Sequence, residues 1–103
     1  MAKYKLAYLP PAETDILEIV EFHAGEVGPV SARKIYHSIR EQIARLQDFP
    51  LLGPPHPDPE LAALSYRKLA LTKTYVAIYR VVADTVTIYR IVNGKTDYPK
   101  LLK

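Results

Sequence analysis

Two apolar runs near the C-terminal end constrain this chain most: Tyr75 to Val82 and Val86 to Val92, on either side of Ala83-Asp84-Thr85. Both are dense in β-branched and aromatic residues, and neither contains Pro or Gly, a composition that suits a pleated, half-buried surface. They read as a β-hairpin. Because apolar side chains recur on both faces, the hairpin belongs inside a sheet, and the rest of the chain must supply its cover. Ala83-Asp84 lacks the Asn-Gly chemistry that fixes a two-residue loop. A three-residue loop puts Arg80 and Arg90 on one face, a two-residue loop puts them on opposite faces, and the sequence leaves both open.

The preceding segments supply that cover. Residues Lys3 to Leu9 read as a first strand, with Tyr4, Leu6 and Tyr8 alternating against Lys3, Lys5 and Ala7, and Pro10-Pro11 ends it. A helix is expected from about Pro11 to Ala24. Its apolar stripe is Ala12, Ile16, Ile19, Val20 and His23, widened by Leu17 and Phe22, and Glu13 and Asp15 sit near the positive end of its dipole. Gly25 and Gly28-Pro29 close it. A second amphipathic helix is expected from Ser31 as N-cap, with Ala32, Ile35, Tyr36, Ile39, Ile43 and Leu46 inward, until Pro50 stops it. Together these form an αα-hairpin. Pro50 to Glu60 carries five prolines and Gly53 and reads as a stiff surface loop, neither helix nor central strand. Leu61 to Leu64 suits a turn, Ser65 to Thr72 a strand, and Asn93 to Lys103 a turn, a proline and a short apolar hook. The predicted fold is α+β: a two-helix hairpin on a small, mainly antiparallel four-stranded sheet, in chain order β-α-α-β-β-β.

At 103 residues this is one domain, residues 1–103, with a single core. There are no cysteines, which excludes disulfides, thiolate catalysis and zinc-thiolate sites and fits a reducing compartment. No apolar run approaches membrane-spanning length, so a cytoplasmic protein without membrane attachment is expected. The net charge of +3 hides an asymmetry: six Lys and Arg stand against nine Asp and Glu through Glu60, and eight against two from Leu61 onward. The basic half suits phosphate or an acidic protein segment.

No Gly-rich phosphate loop, nucleophile elbow or His-Glu-x-x-His is present, and no cofactor is implied. His23 reads as a packed helix-end residue, and His37 and His56 as ordinary surface residues. The metal-free reaction most compatible with the composition is RNA cleavage by a 2′-hydroxyl. It needs a base, a cation over the phosphorane and an acid, for which Arg67, Lys68, Lys73, Lys95 and Tyr98 are candidates if the sheet and the tail converge. On strands, tyrosines more often pack and lysines are more often solvated.

The order of elements and several short motifs resemble the RelE/ParE superfamily of type II toxin-antitoxin toxins. The resemblance is carried by Tyr4 to Leu9 with Pro11-Ala12 and Asp15 to Ile19, by Ile43 to Leu46 with Phe49-Pro50 and Gly53, and by Tyr66-Arg67-Lys68-Leu69. Tyr75, Tyr79-Arg80-Val81, Val86 to Ile91 and Asn93 to Pro99 complete it. It implies a plasmid-stabilization type toxin neutralised by a cognate antitoxin, with further assembly of the pair. RelE-like members, messenger-RNA endoribonucleases acting on the ribosome, have arginines at positions that fall here on Leu71 and Thr96. ParE-like members inhibit DNA gyrase by binding, and many have His and Arg where Asn93 and Thr96 stand. The ParE-like activity is the expectation, with Lys95, Asp97, Tyr98 and Lys100 as target contacts. For the RelE-like alternative, Arg67, Lys68, Lys73 and Tyr98 are the catalytic candidates. A degenerate toxin retained as antitoxin partner is a third reading.

Overall fold

The computed structural model describes residues 3–103, in which strand β1 (Lys5–Tyr8), helices α1 (Pro10–Glu26) and α2 (Pro29–Ala44), a short helix α3 (Pro59–Ala63) and strands β2 (Arg67–Ala70), β3 (Tyr75–Val82) and β4 (Thr85–Asn93) follow in order. The sheet order is β1-β4-β3-β2, so the apolar hairpin occupies the two central positions, as its two-faced burial requires. β1 lies parallel to β4 and the other pairs are antiparallel. The αα-hairpin provides the long crossover that a parallel pair demands.

The hairpin register left open by the sequence resolves to a two-residue loop: Val82 pairs with Thr85, and Ala83 adopts a positive φ of 55°. The two-residue loop alone would set Arg80 and Arg90 on opposite faces, but a bulge pairs Arg90 with Ile78, so both start from one face and only their guanidinium groups part. Arg80 lies over Tyr66 and Tyr89, and Arg90 reaches Asp15 of α1. That bulge shifts the ladder between Ile78 and Tyr79, so that Ile78 opposes Arg90 and Tyr79 opposes Ile88.

On one face, Ala12, Ile16 and Ile19 of α1 and Ile39 and Ile43 of α2 pack with Leu46 against Leu69, Ala77, Tyr79, Val86, Ile88 and Ile91. Leu17 and Phe22, expected to widen the stripe of α1, are instead 60% and 59% exposed. At 3.6 residues per turn they fall outside the arc set by Ile16 and Ile19, which already fills the contact. Helix α1 runs past its expected ends, starting at Pro10 and reaching Glu26. Helix α2 starts at Pro29 after Gly28, whose φ of 134° favours glycine, so Ser31 lies inside the first turn and is not its N-cap.

The second face of the sheet carries its own cluster: Leu61, Tyr66, Val76, Ile78, Val92 and Tyr98, with Tyr89 and Leu102 against it. The proline-rich segment, expected to contain no helix, starts one at Pro59. Asp58 caps it by accepting from the Glu60 and Leu61 amides at 3.0 and 3.2 Å, and a proline in the first turn removes a donor that would have had no partner. Strand β2 is shorter than expected, Arg67–Ala70, because Ser65 has a φ of 68° and Leu71 bonds back to Tyr75 across the next turn.

Helix α1 and the sheet are joined by a partly buried ion pair. Arg90 Nε and Nη2 donate to Asp15 Oδ2 and Oδ1 at 2.7 and 2.8 Å, and the Ile91 amide donates to Oδ2 at 2.9 Å. β1 ends opposite Ile88, so beyond it the rim of β4 lacks a strand neighbour, and Asp15 satisfies the amide there. Asp15→Ala strips both the guanidinium and the amide of their acceptor, and we expect it to lower unfolding free energy by about 3 kcal/mol, with Asp15→Asn losing less. Urea denaturation measures both; a loss below that of an ordinary surface substitution contradicts the assignment.

Candidate functional site

The proline loop, the end of β2 and the tail converge on the sheet face turned away from α1 and α2. Gly53 anchors the loop. Its amide donates to the Tyr79 hydroxyl at 2.9 Å, that hydroxyl donates to the Pro50 carbonyl at 2.9 Å, and Arg67 Nη1 donates to the Gly53 carbonyl at 2.6 Å. A Cβ at Gly53 would stand 2.8 Å from the Lys68 carbonyl and 2.9 Å from the Tyr79 ring, so the close approach excludes any side chain. The loop then pairs with β2 through Pro55 and Arg67, and Pro54 accepts from the Lys68 amide.

From this loop His56 reaches the tail. It is buried, contrary to the surface position expected of it, and Nε2 lies 2.7 Å from the Tyr98 hydroxyl. Its Nδ1 accepts the Asp58 amide at 2.9 Å. With Nδ1 an acceptor, the neutral ring carries its proton on Nε2 and donates to Tyr98. Burial, together with the charge of Lys68, holds the imidazole below its ordinary pKa, and burial pushes the Tyr98 phenol up. Both groups are thus neutral at pH 7. The sequence hides this pair because 42 residues separate its members and the local pattern around His56 is only proline.

The tail follows from that anchor. Asn93 turns the chain by accepting from the Lys95 amide on Oδ1, while its carbonyl accepts from the Thr96 hydroxyl at 2.7 Å. The Gly94 amide bonds to the Thr74 carbonyl, and Tyr98 enters the second-face cluster. A 3-10 turn over Pro99–Leu102 follows, and Lys103 Nζ reaches Asp58 Oδ2 at 3.1 Å. Lys95, Asp97 and Lys100 remain exposed, Lys100 pairing with Asp97 at 3.1 Å. Such a surface pair contributes little to stability, so these side chains can exchange it for a partner's groups.

The ribonuclease candidates are distributed otherwise. Arg67 holds the Gly53 carbonyl, Lys68 is half-buried opposite Ile78, Lys73 is exposed in the β2–β3 turn and Tyr98 is buried. A hollow of about 220 Å³ beside them is lined by Pro55, Ala62, Ser65, Tyr66 and Arg67 and by neither His56 nor Tyr98. Among the described residues no group of three or more His, Asp or Glu side chains is arranged to hold a metal ion. No described helix is long and apolar enough to cross a membrane.

The His56 bonds make stability pH-dependent. A histidine whose folded pKa lies below its unfolded value contributes fully above about pH 6.5, and that contribution is lost as pH falls below 6.5 toward the folded pKa. We expect the unfolding midpoint to drop between pH 7.5 and 5.5, above the carboxylate range, and His56→Gln to lose that slope while being less stable at pH 7.5. An unchanged slope in the variant contradicts the buried neutral imidazole.

Comparison with known proteins agrees with this architecture. The sequence profile of the ParE toxin of type II toxin-antitoxin systems, parDE, matches residues 6–98. No curated protein is significantly similar in sequence. Among solved structures, a chain of the chromosomal ParDE toxin-antitoxin system of P. aeruginosa superposes with a TM-score of 0.76 at 26% identity, over 88% of this chain and 96% of that one. A chain of the RelBE2 toxin-antitoxin complex of Mycobacterium tuberculosis gives 0.65 at 23% identity over 88% and 98%, and a YoeB/ParE toxin from Agrobacterium tumefaciens gives 0.59 at 18% over 87% and 98%. The match over residues 6–98, on a β-α-α-β-β-β sheet with a proline loop and a docked tail, places this chain in the ParE family of toxins of type II toxin-antitoxin systems.

Proposed function

We propose that this toxin acts by binding DNA gyrase, presents Lys95, Asp97 and Lys100 to it from a tail positioned by Tyr98, and is neutralised by a cognate antitoxin. The observation that carries the choice of target is the fate of the two positions where RelE-like ribonucleases have arginine. Leu71 is buried in the helix-side core, and the Thr96 hydroxyl is tied to the Asn93 carbonyl of its own turn. Neither offers a cation to a phosphorane, and one preorganised charge stabiliser is typically worth about 3 kcal/mol of barrier. His56 and Tyr98, the acid-base pair nearest the basic flank, hold each other in a buried contact. A binding activity uses what is exposed instead.

The antitoxin reading draws on a different surface. Leu17, Phe22, Val27 and Val30, on α1 and around the α1–α2 turn, are each more than half exposed. Exposed apolar residues in that number support a protein partner that covers them, and the basic back half suits acidic residues in the same partner.

Two assays on toxin freed from its antitoxin test the target. We expect inhibition of gyrase supercoiling and no ribosome-dependent cleavage of messenger RNA, with Lys95→Glu/Lys100→Glu weakening inhibition about tenfold or more while antitoxin binding is retained. Cleavage of ribosome-bound RNA without gyrase inhibition reverses the assignment. Inactivity in both, with tight antitoxin binding, identifies a degenerate toxin.

A further inference from the structure

Four arginines of the described residues are half-buried, and three of them have acceptors. Arg40 reaches Glu13 at 2.7 and 3.2 Å, Arg90 reaches Asp15, and Arg67 the Gly53 carbonyl. Arg80 differs. Its guanidinium lies 5.4 Å from the Tyr66 ring centroid and 5.8 Å from that of Tyr89, with only a long contact of 3.4 Å to the Tyr89 hydroxyl. Its Nε, like that of Arg40, is buried without a hydrogen-bond partner, but unlike Arg40 it forms no ion pair among the described residues. The two rings, themselves in edge contact at 5.0 Å, hold the fork in place by cation–π attraction but neutralise none of its charge.

Its place in the sheet says what it can meet. Directly opposed residues share a face, so Arg80 stands beside Thr87, and the Val82–Thr85 pair follows on the same side. The cover made by Leu61, Tyr98 and Leu102 lies toward the Val76–Val92 end, and toward the hairpin tip Val82 is 53% exposed. The fork is therefore a preorganised, partly desolvated donor at the edge of an uncovered strip.

We infer that Arg80, framed by Tyr66 and Tyr89, is a receptor for a single carboxylate on the segment of the antitoxin that lies along this strip. This rests on the antitoxin reading above. A guanidinium fork takes a carboxylate bidentately, and its poor hydration makes the exchange favourable. A nucleic-acid strand would instead ask for a row of cations, whereas beyond Arg80 the strip presents Val82, Thr85 and Thr87 and then Asp84 at the turn.

The test uses the toxin and the antitoxin encoded beside it, with Arg80→Met and Arg80→Lys. We expect Arg80→Met to bind antitoxin about ten- to a hundredfold more weakly and Arg80→Lys to fall between, since it keeps the charge and loses the fork. The melting temperature of free Arg80→Met should be unchanged or higher, because an uncompensated charge has been removed. The Arg80 Nε–H resonance should shift when antitoxin is added to wild type. Equal binding by the variants, a lowered melting temperature in Arg80→Met, or gyrase inhibition lost with antitoxin binding intact each overturns the Arg80 receptor while leaving the antitoxin reading standing. Failure of wild-type toxin to bind the antitoxin overturns both.

Discussion

A strand pair that is apolar on both faces cannot be left half-covered, and the architecture follows from that constraint. Residues such as Ala77, Tyr79, Val86 and Ile88 demand one layer, and Val76, Ile78 and Val92 demand another. The αα-hairpin is the first layer. It arrives through a parallel crossover, and Asp15 fixes it to the strand edge that β1 leaves unpaired. Burying that carboxylate would be costly if it were alone; two guanidinium bonds and one amide bond compensate it.

The second layer is assembled from pieces too short to fold alone: a five-residue helix, a proline loop and a 3-10 turn. Their stability is borrowed from the sheet. Tyr79 reaches from the helix-side core to fasten Gly53 and Pro50, and Tyr98 joins the buried cluster of Leu61 and Val92 while its hydroxyl meets His56. Burying an aromatic ring of this kind is worth about 2 kcal/mol, enough to order a short tail when hydrogen bonds add to it. The functional consequence is that Lys95, Asp97 and Lys100 project from a fixed backbone. A fixed surface binds with less entropy loss than a free tail.

Periodicity made most of the first layer legible. Alternation in β1, the stripes of α1 and α2 and the two-faced hairpin gave the order of elements and the sheet, because each repeats over enough residues for one face to be identified. Contacts that depend on distant partners were hidden. Leu17 and Phe22 look like core until the width of the helix contact is known, and His56 looks exposed until Tyr98 and Asp58 are brought to it. The hairpin loop was open because Ala83 takes a positive φ that its side chain does not advertise. The short helix from Pro59 is not legible in the sequence because a proline-dense context masks the cap at Asp58. The exposure of Lys95, Asp97 and Lys100 is legible from their charge, while a contact role for them rests on the family resemblance; the His56–Tyr98 contact and the lone guanidinium of Arg80 emerge only when strands and loop are assembled.

The central claim is that the tail belongs to the fold as the second cover of the sheet. Amide hydrogen exchange tests it most directly, at Gly94, Thr96 and Leu101, whose N–H groups bond to Thr74, Asn93 and Tyr98 carbonyls. The account predicts slowed exchange at all three in the wild type and its loss in Tyr98→Ala, with α1 and α2 still protected. Exchange at the rate of free chain in the wild type would contradict it.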